Sequence, residues 1–128
     1  MSGELVLVVE DHALNLELAR DALQLRGFRT LEARTAAEGI ALARRHRPDL
    51  VLLDIQLPDM DGLTVLGRLR AEPDTAAIPV VALTAFAMRE DRERLLRAGF
   101  DGYLAKPIDV TAFPEQIRSY CARSREAS

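Results

Sequence analysis

The chain has 128 residues, a formal net charge of −3, 48% hydrophobic and 29% charged residues, and one cysteine. That length fits a single domain able to bury a core without staples, and the acidic balance argues against the nucleic-acid backbone as main partner. Cys121 alone forms no intrachain disulfide and reads as a packing residue, and no apolar run nears the roughly 18 residues a membrane span needs. Met-Ser-Gly-Glu at the start lacks the charged and apolar regions of a signal peptide, so a cytoplasmic protein without nucleic-acid or membrane partners is expected.

In chain order, Leu5–Val9 is a continuous apolar run followed by Glu10 and Asp11. Helical spacing over Asn15–Arg26, with Leu14, Leu18 and Leu25 on one face, stops at Gly27. The second apolar run is Phe28–Leu31, and Ala36–Arg45 is again amphipathic. Pro48 precedes Leu50–Leu53, Asp54 follows it, and Leu63–Ala71 is helical. Pro79 precedes Val80–Leu83, Thr84 follows it, and Met88–Ala98, with Leu95 and Leu96 together, closes at Gly99. Tyr103–Ala105 leads into Lys106, Val110–Arg123 is the last helix, and residues 124–128 read as a polar tail after a domain of residues 1–123. Near-continuous apolar runs suit parallel strands covered on both faces, and five strand–helix alternations predict a three-layer, doubly wound α/β fold.

Each informative polar residue follows an apolar run. In such sheets ligands bind beyond the carboxyl ends of the strands, so Glu10, Asp11, Asp54, Thr84 and Lys106 converge on one edge. Lys106 is the only lysine beside sixteen arginines, and lysine is a compact charge suited to reaching a single oxygen. Crowded carboxylates raise one another's pKa unless a cation neutralises them, and oxygen ligands favour a hard ion such as Mg²⁺. An Asp beside that ion can act as nucleophile towards a phosphoryl group, with the ammonium and hydroxyl on its oxygens. Simpler readings exist for each residue: Asp11 or Thr84 as a helix cap, Glu10 as a solvated charge, Lys106 as a loop charge. Their joint placement at strand ends favours one site. Asp59-Met60-Asp61-Gly62 lacks the later ligands of a calcium loop and reads as a turn. His12 and His46 lack zinc spacing, and no glycine-rich phosphate loop is present.

The segments LVLVVEDHALN, PDLVLLDIQLPDMDGL, IPVVALTAFA and GFDGYLAKPI resemble the receiver domain of two-component response regulators, the chemotaxis-regulator-like (CheY-like) family, from Leu5 to about Tyr120. The resemblance implies a flavodoxin-like five-stranded parallel sheet of order 2-1-3-4-5 with five helices. It implies that Asp54 is the phosphoacceptor, charged by a histidine kinase or histidine phosphotransfer protein. Mg²⁺ would be held by Glu10, Asp11, Asp54 and the backbone carbonyl of Gln56. Thr84 and Lys106 would bind phosphoryl oxygens, the Lys106–Pro107 peptide would be cis, and Tyr103 would be the aromatic switch that turns inward as Thr84 moves. Gln56 and Phe86 flank the expected path of hydrolytic water; Phe86 cannot orient water, so slow self-dephosphorylation is expected, while small Ala85 leaves the site open to donors.

TAFAMREDRERLLRAG is similar to single-domain regulators of bacterial cell-cycle and polarity signalling, such as the DivK group, and to receivers of hybrid kinases. The expected protein is a stand-alone switch rather than an enzyme, read by a protein target through its fourth helix, fifth strand and fifth helix. A phosphorelay intermediate passing the group on to a histidine is the alternative. A Mg²⁺-dependent phosphohydrolase is disfavoured, because Gln56 stands where such enzymes usually carry a second Asp.

Overall fold

The computed structural model describes residues 3–85 and 89–127, with the backbone alone described for Arg89 and residues 123–127. Phe86, expected to tune hydrolysis, lies outside the described residues.

Five strands, β1 (Leu5–Val9), β2 (Arg29–Ala33), β3 (Leu50–Asp54), β4 (Val80–Thr84) and β5 (Gly102–Ala105), alternate with five helices. The helices are α1 (Ala13–Leu25), α2 (Ala36–His46), α3 (Gly62–Arg70), α4 (Arg89–Ala98) and α5 (Phe113–Ala127). The pairings between these five strands are parallel and the order is β2-β1-β3-β4-β5. Successive side chains leave a strand on opposite faces, so each central strand feeds two cores. Val6, Val8, Leu50, Leu52, Val81 and Leu83 pack with Leu16, Ala19 and Leu23 of α1 and Phe113, Ile117 and Cys121 of α5. Leu7, Val9, Val51, Leu53 and Ala82 pack with α2, α3 and α4 on the other face. Cys121 is a buried packing residue. No helix among the described residues is long and apolar enough to cross a membrane.

Several boundaries differ from the sequence expectation. Phe28 is buried, but from the turn before β2; the strand begins at Arg29 and runs on to Ala33. Its sides are unevenly covered, because β2 is an edge strand, so its apolar signal is weak. β5 begins at Gly102, where a Cβ would collide with the Tyr120 ring. Helix α5 continues to Ala127, into the stretch expected to be a polar tail.

The largest correction concerns α1. Its buried face is Leu16, Ala19, Ala22 and Leu23, not the Leu14, Leu18 and Leu25 stripe. Those three leucines are exposed, Leu25 by 86%, and Leu18 and Leu25 with Val110 border a groove of about 410 Å³. Two apolar stripes run along this helix, and the one bearing alanines lies closest to the sheet.

Glycine fixes two junctions. Gly62 opens α3 against the Ile55 backbone, where a Cβ would sit 2.8 Å from Ile55 Cα. Gly99 closes α4 with a φ of +114°, a conformation that favours glycine.

The two leucines of α1 give a direct check. Truncating buried Leu23 to Ala should cost about 2–5 kcal/mol in urea unfolding. Leu25→Ala should stay within about 0.5 kcal/mol of the parent. Similar losses for both would contradict the assigned buried face.

Candidate functional site

Strand alternation decides which strand-end side chains meet. Glu10 keeps step with Val6 and Val8, Asp54 with Leu50 and Leu52, and Lys106 with Leu104, all on the α1/α5 side of the sheet. The backbone ladder also runs past the strands into the site. Glu10 N–H donates to Ala33 C=O at 2.9 Å, and Lys106 N–H to Thr84 C=O at 2.9 Å. Each side chain therefore departs from a fixed backbone.

Lys106 Nζ lies 3.1 Å from Asp54 Oδ2 and 3.2 Å from Glu10 Oε1. Both carboxylates are buried, Glu10 completely, while the Lys106 side chain keeps 20% of its surface in solvent. Their other oxygens accept backbone N–H groups: Gln56 donates to Asp54 Oδ1 at 2.9 Å, and His12 to Glu10 Oε2 at 3.1 Å. Charge on a buried carboxylate persists when ammonium and amide donors replace water.

The two carboxyls respond differently. Burial raises the Glu10 pKa, and sharing a hydrogen bond with Asp54 raises it further, outweighing the His12 N–H and Lys106. Burial also opposes ionisation of Asp54, but hydrogen bonds from Glu10, the Gln56 amide and Lys106 more than offset it, and its pKa falls. Burial would lower the Lys106 pKa, yet Asp54 and Glu10 raise it, so the ammonium stays charged. Asp54 is thus the carboxyl kept ionised, and Glu10 the one that protonates more readily.

Asp11 completes the cluster. The helix-cap reading does not hold for it: the N-cap of α1 is His12, without a side-chain cap bond. Ligand oxygens of Glu10, Asp11 and Asp54 all lie within 4.8 Å of one another. Buried Glu10 Oε1 has no hydrogen bond of suitable geometry, its contact with Lys106 being one of charge. Carboxylates outnumber the ammonium, and one buried oxygen lacks a donor, so this set fits a hard divalent cation.

Thr84 ends β4 and is buried; Ala85 follows it, exposed. Gln56 is exposed beside Asp54, and the Lys106–Pro107 peptide is cis. Tyr103 is half-buried against the α2–α4 core, and its hydroxyl accepts a hydrogen bond from Arg92 at 3.2 Å. His12 and His46 are exposed, and neither side chain joins the acidic cluster, which His12 meets through its backbone N–H alone.

The turn after Asp54 holds features the sequence reading missed. Asp59 accepts from the N–H groups of Ala36 and Ala37 at 2.9 and 3.1 Å, tying this loop to the start of α2. Asp61 caps α3 by accepting from Thr64 N–H at 2.9 Å. These backbone bonds lower both pKa values, those from Ala36 and Thr64 most. The Asp61 cap follows a familiar spacing before a helix, whereas nothing in the sequence pairs Asp59 with residues 36 and 37.

A parallel sheet of this order, with an acidic triplet and a lysine at its carboxyl edge, defines a doubly wound α/β domain whose charged site lies at the strand ends. The chain belongs to the response regulator receiver domain family, which it matches over residues 6–118. It is 47% identical over 115 residues to the polar-differentiation response regulator DivK of Brucella anthropi, covering 90% of this chain and 94% of that protein. The Brucella ovis DivK is 46% identical with the same coverage. Among solved structures, a CheY-like receiver from Methanospirillum hungatei JF-1 superposes with a TM-score of 0.87 at 27% identity, covering 98% of this chain and 99% of that one. The receiver of a sensor histidine kinase from Pseudomonas aeruginosa PAO1 has a magnesium ion coordinated in its active-site cleft. It gives a TM-score of 0.85 at 32% identity, covering 94% of this chain and 98% of that one.

The raised Glu10 pKa carries a stability consequence. A carboxyl whose folded pKa exceeds its unfolded value of about 4.5 favours the fold most below that pH, and loses this contribution as pH rises through the folded pKa. In metal-free, chelated buffer Glu10→Gln should therefore be more stable than the parent at pH 7. The gap should narrow as pH falls towards 4.5 in thermal melts. A gap that widens on acidification would contradict the assignment.

Proposed function

We propose that Asp54 accepts a phosphoryl group from a phosphohistidine on a histidine kinase or histidine phosphotransfer protein, and that the phosphorylated domain signals by presenting an altered surface to a protein target. The observation that carries this reading is a buried Asp54 held ionised, with an ammonium 3.1 Å from one oxygen and an amide N–H on the other. Such a carboxylate is a preorganised nucleophile.

In the transfer, an Asp54 oxygen attacks phosphorus, the P–N bond of the donor breaks, and its electron pair leaves with the imidazole. Glu10, Asp11, Asp54 and the Gln56 carbonyl would hold Mg²⁺, which would supply charge neutralisation for the phosphoryl oxygens. The metal-bearing cleft of the Pseudomonas relative supports that choice of ion. Lys106 already lies on Asp54 and follows the negative charge outward when the carboxylate becomes an acyl phosphate. The Thr84 hydroxyl binds another phosphoryl oxygen, Tyr103 turns into the space it leaves, and the change reaches α4, β5 and α5. Ala85 leaves room for the donor.

The domain transfers the group to and from its own Asp54 and turns over no separate substrate. It acts in the cytoplasm, and it spans 94% of the length of the Brucella anthropi DivK that it matches.

Incubation with acetyl phosphate tests the reading by intact mass. One added phosphoryl group is expected with Mg²⁺ and none with chelator. Asp54→Ala should remain unmodified under both conditions. Modification that survives Asp54→Ala would overturn the assignment.

A further inference from the structure

We propose that Arg92 is a positioning residue for the switch: it holds Tyr103 on the α4 surface and so sets how readily Asp54 takes up a phosphoryl group. This rests on the reading of Asp54 and Tyr103 given above.

Arg92 is exposed, one helical turn before Leu95, which is buried against the core. Residues three apart share a helix face, so Arg92 emerges on the shoulder of α4 that leans over β5. Its guanidinium carbon lies 5.4 Å from the centre of the Tyr103 ring, and Nη1 donates to the Tyr103 hydroxyl at 3.2 Å. Ring face and hydroxyl are engaged by the same cation. Arginine can make both contacts because its planar fork stacks and donates together, which lysine cannot reproduce.

The register connects this pair to the site. Ala82 pairs with Tyr103 and Thr84 with Ala105. Thr84 and Tyr103 therefore leave adjacent strands on the same face, one alternation apart. A ring that moves towards the end of β4 departs from Arg92 and gives up both contacts. Arg92 accordingly favours the phosphoryl-free arrangement, and linkage requires that it weaken binding of a phosphoryl mimic by the same factor. The device is local to this chain's α4 and needs no change in the acidic cluster.

The test is a titration of the full chain with beryllofluoride in Mg²⁺, followed by NMR of the tyrosine rings. The chain has two tyrosines and no tryptophan, so Tyr120→Phe assigns the Tyr103 signals. Arg92→Met keeps the stem but removes the charge and the donors. It should bind beryllofluoride about fivefold more tightly than the parent. Its free-state Tyr103 signals should lie closer to the bound position, and Arg92→Lys should fall between the two. In a Tyr103→Ala background Arg92→Met should change nothing. Equal affinity for the parent and Arg92→Met overturns the proposal, as does the same gain in the Tyr103→Ala background, which would place the effect in α4 itself. Failure of the parent to bind beryllofluoride at all would instead remove the reading of Asp54, and both proposals with it.

Discussion

One ammonium shared between two buried carboxyls governs the carboxyl edge of this sheet. Without Lys106, Glu10 and Asp54 would face each other with little water to screen them, and burying like charges in that way is costly. With it, the pair divides unequally. Asp54 receives an ammonium and an amide and remains a carboxylate, while Glu10 is left with an oxygen lacking a hydrogen bond. The same arrangement that permits burial also leaves the cluster short of positive charge. Burial of the pair and its incomplete neutralisation have one cause.

The sheet makes that arrangement rigid. Three parallel strands end on the same side, and ladder bonds carry the backbone of Glu10 and Lys106 one step beyond their strands. Thr84 belongs to the opposite parity and shares its face with Tyr103. The site therefore has two sides: a charged one that holds Asp54, and a neutral one, formed by Thr84 and Tyr103, that leads to the α4 surface. Arg92 lies at the far end of the neutral side, where a small change in ring position alters two contacts together.

Much of this was legible in the sequence, for physical reasons. Central strands buried on both faces must be continuously apolar, so β1, β3 and β4 stood out and located Glu10, Asp54 and Thr84 at their ends. β2 was shifted because an edge strand carries Arg29 and Glu32, and because buried Phe28 belongs to the preceding turn. The α1 face was misassigned because hydrophobicity does not say which of two apolar stripes faces inward; close approach to a sheet suits Ala19 and Ala22 better than leucines. The Asp59 bonds to α2 and the Arg92–Tyr103 pair left no local spacing to read. Both depend on how distant segments pack.

The most direct measurement is a crystal structure of the chain with Mg²⁺ and beryllofluoride. Beryllium is expected on an Asp54 oxygen, with the metal among Glu10, Asp11 and Asp54, and Lys106 withdrawn from Glu10 to contact a fluorine. Lys106 still bridging Glu10 and Asp54 with no adduct, or an adduct on a different carboxylate, would contradict that expectation.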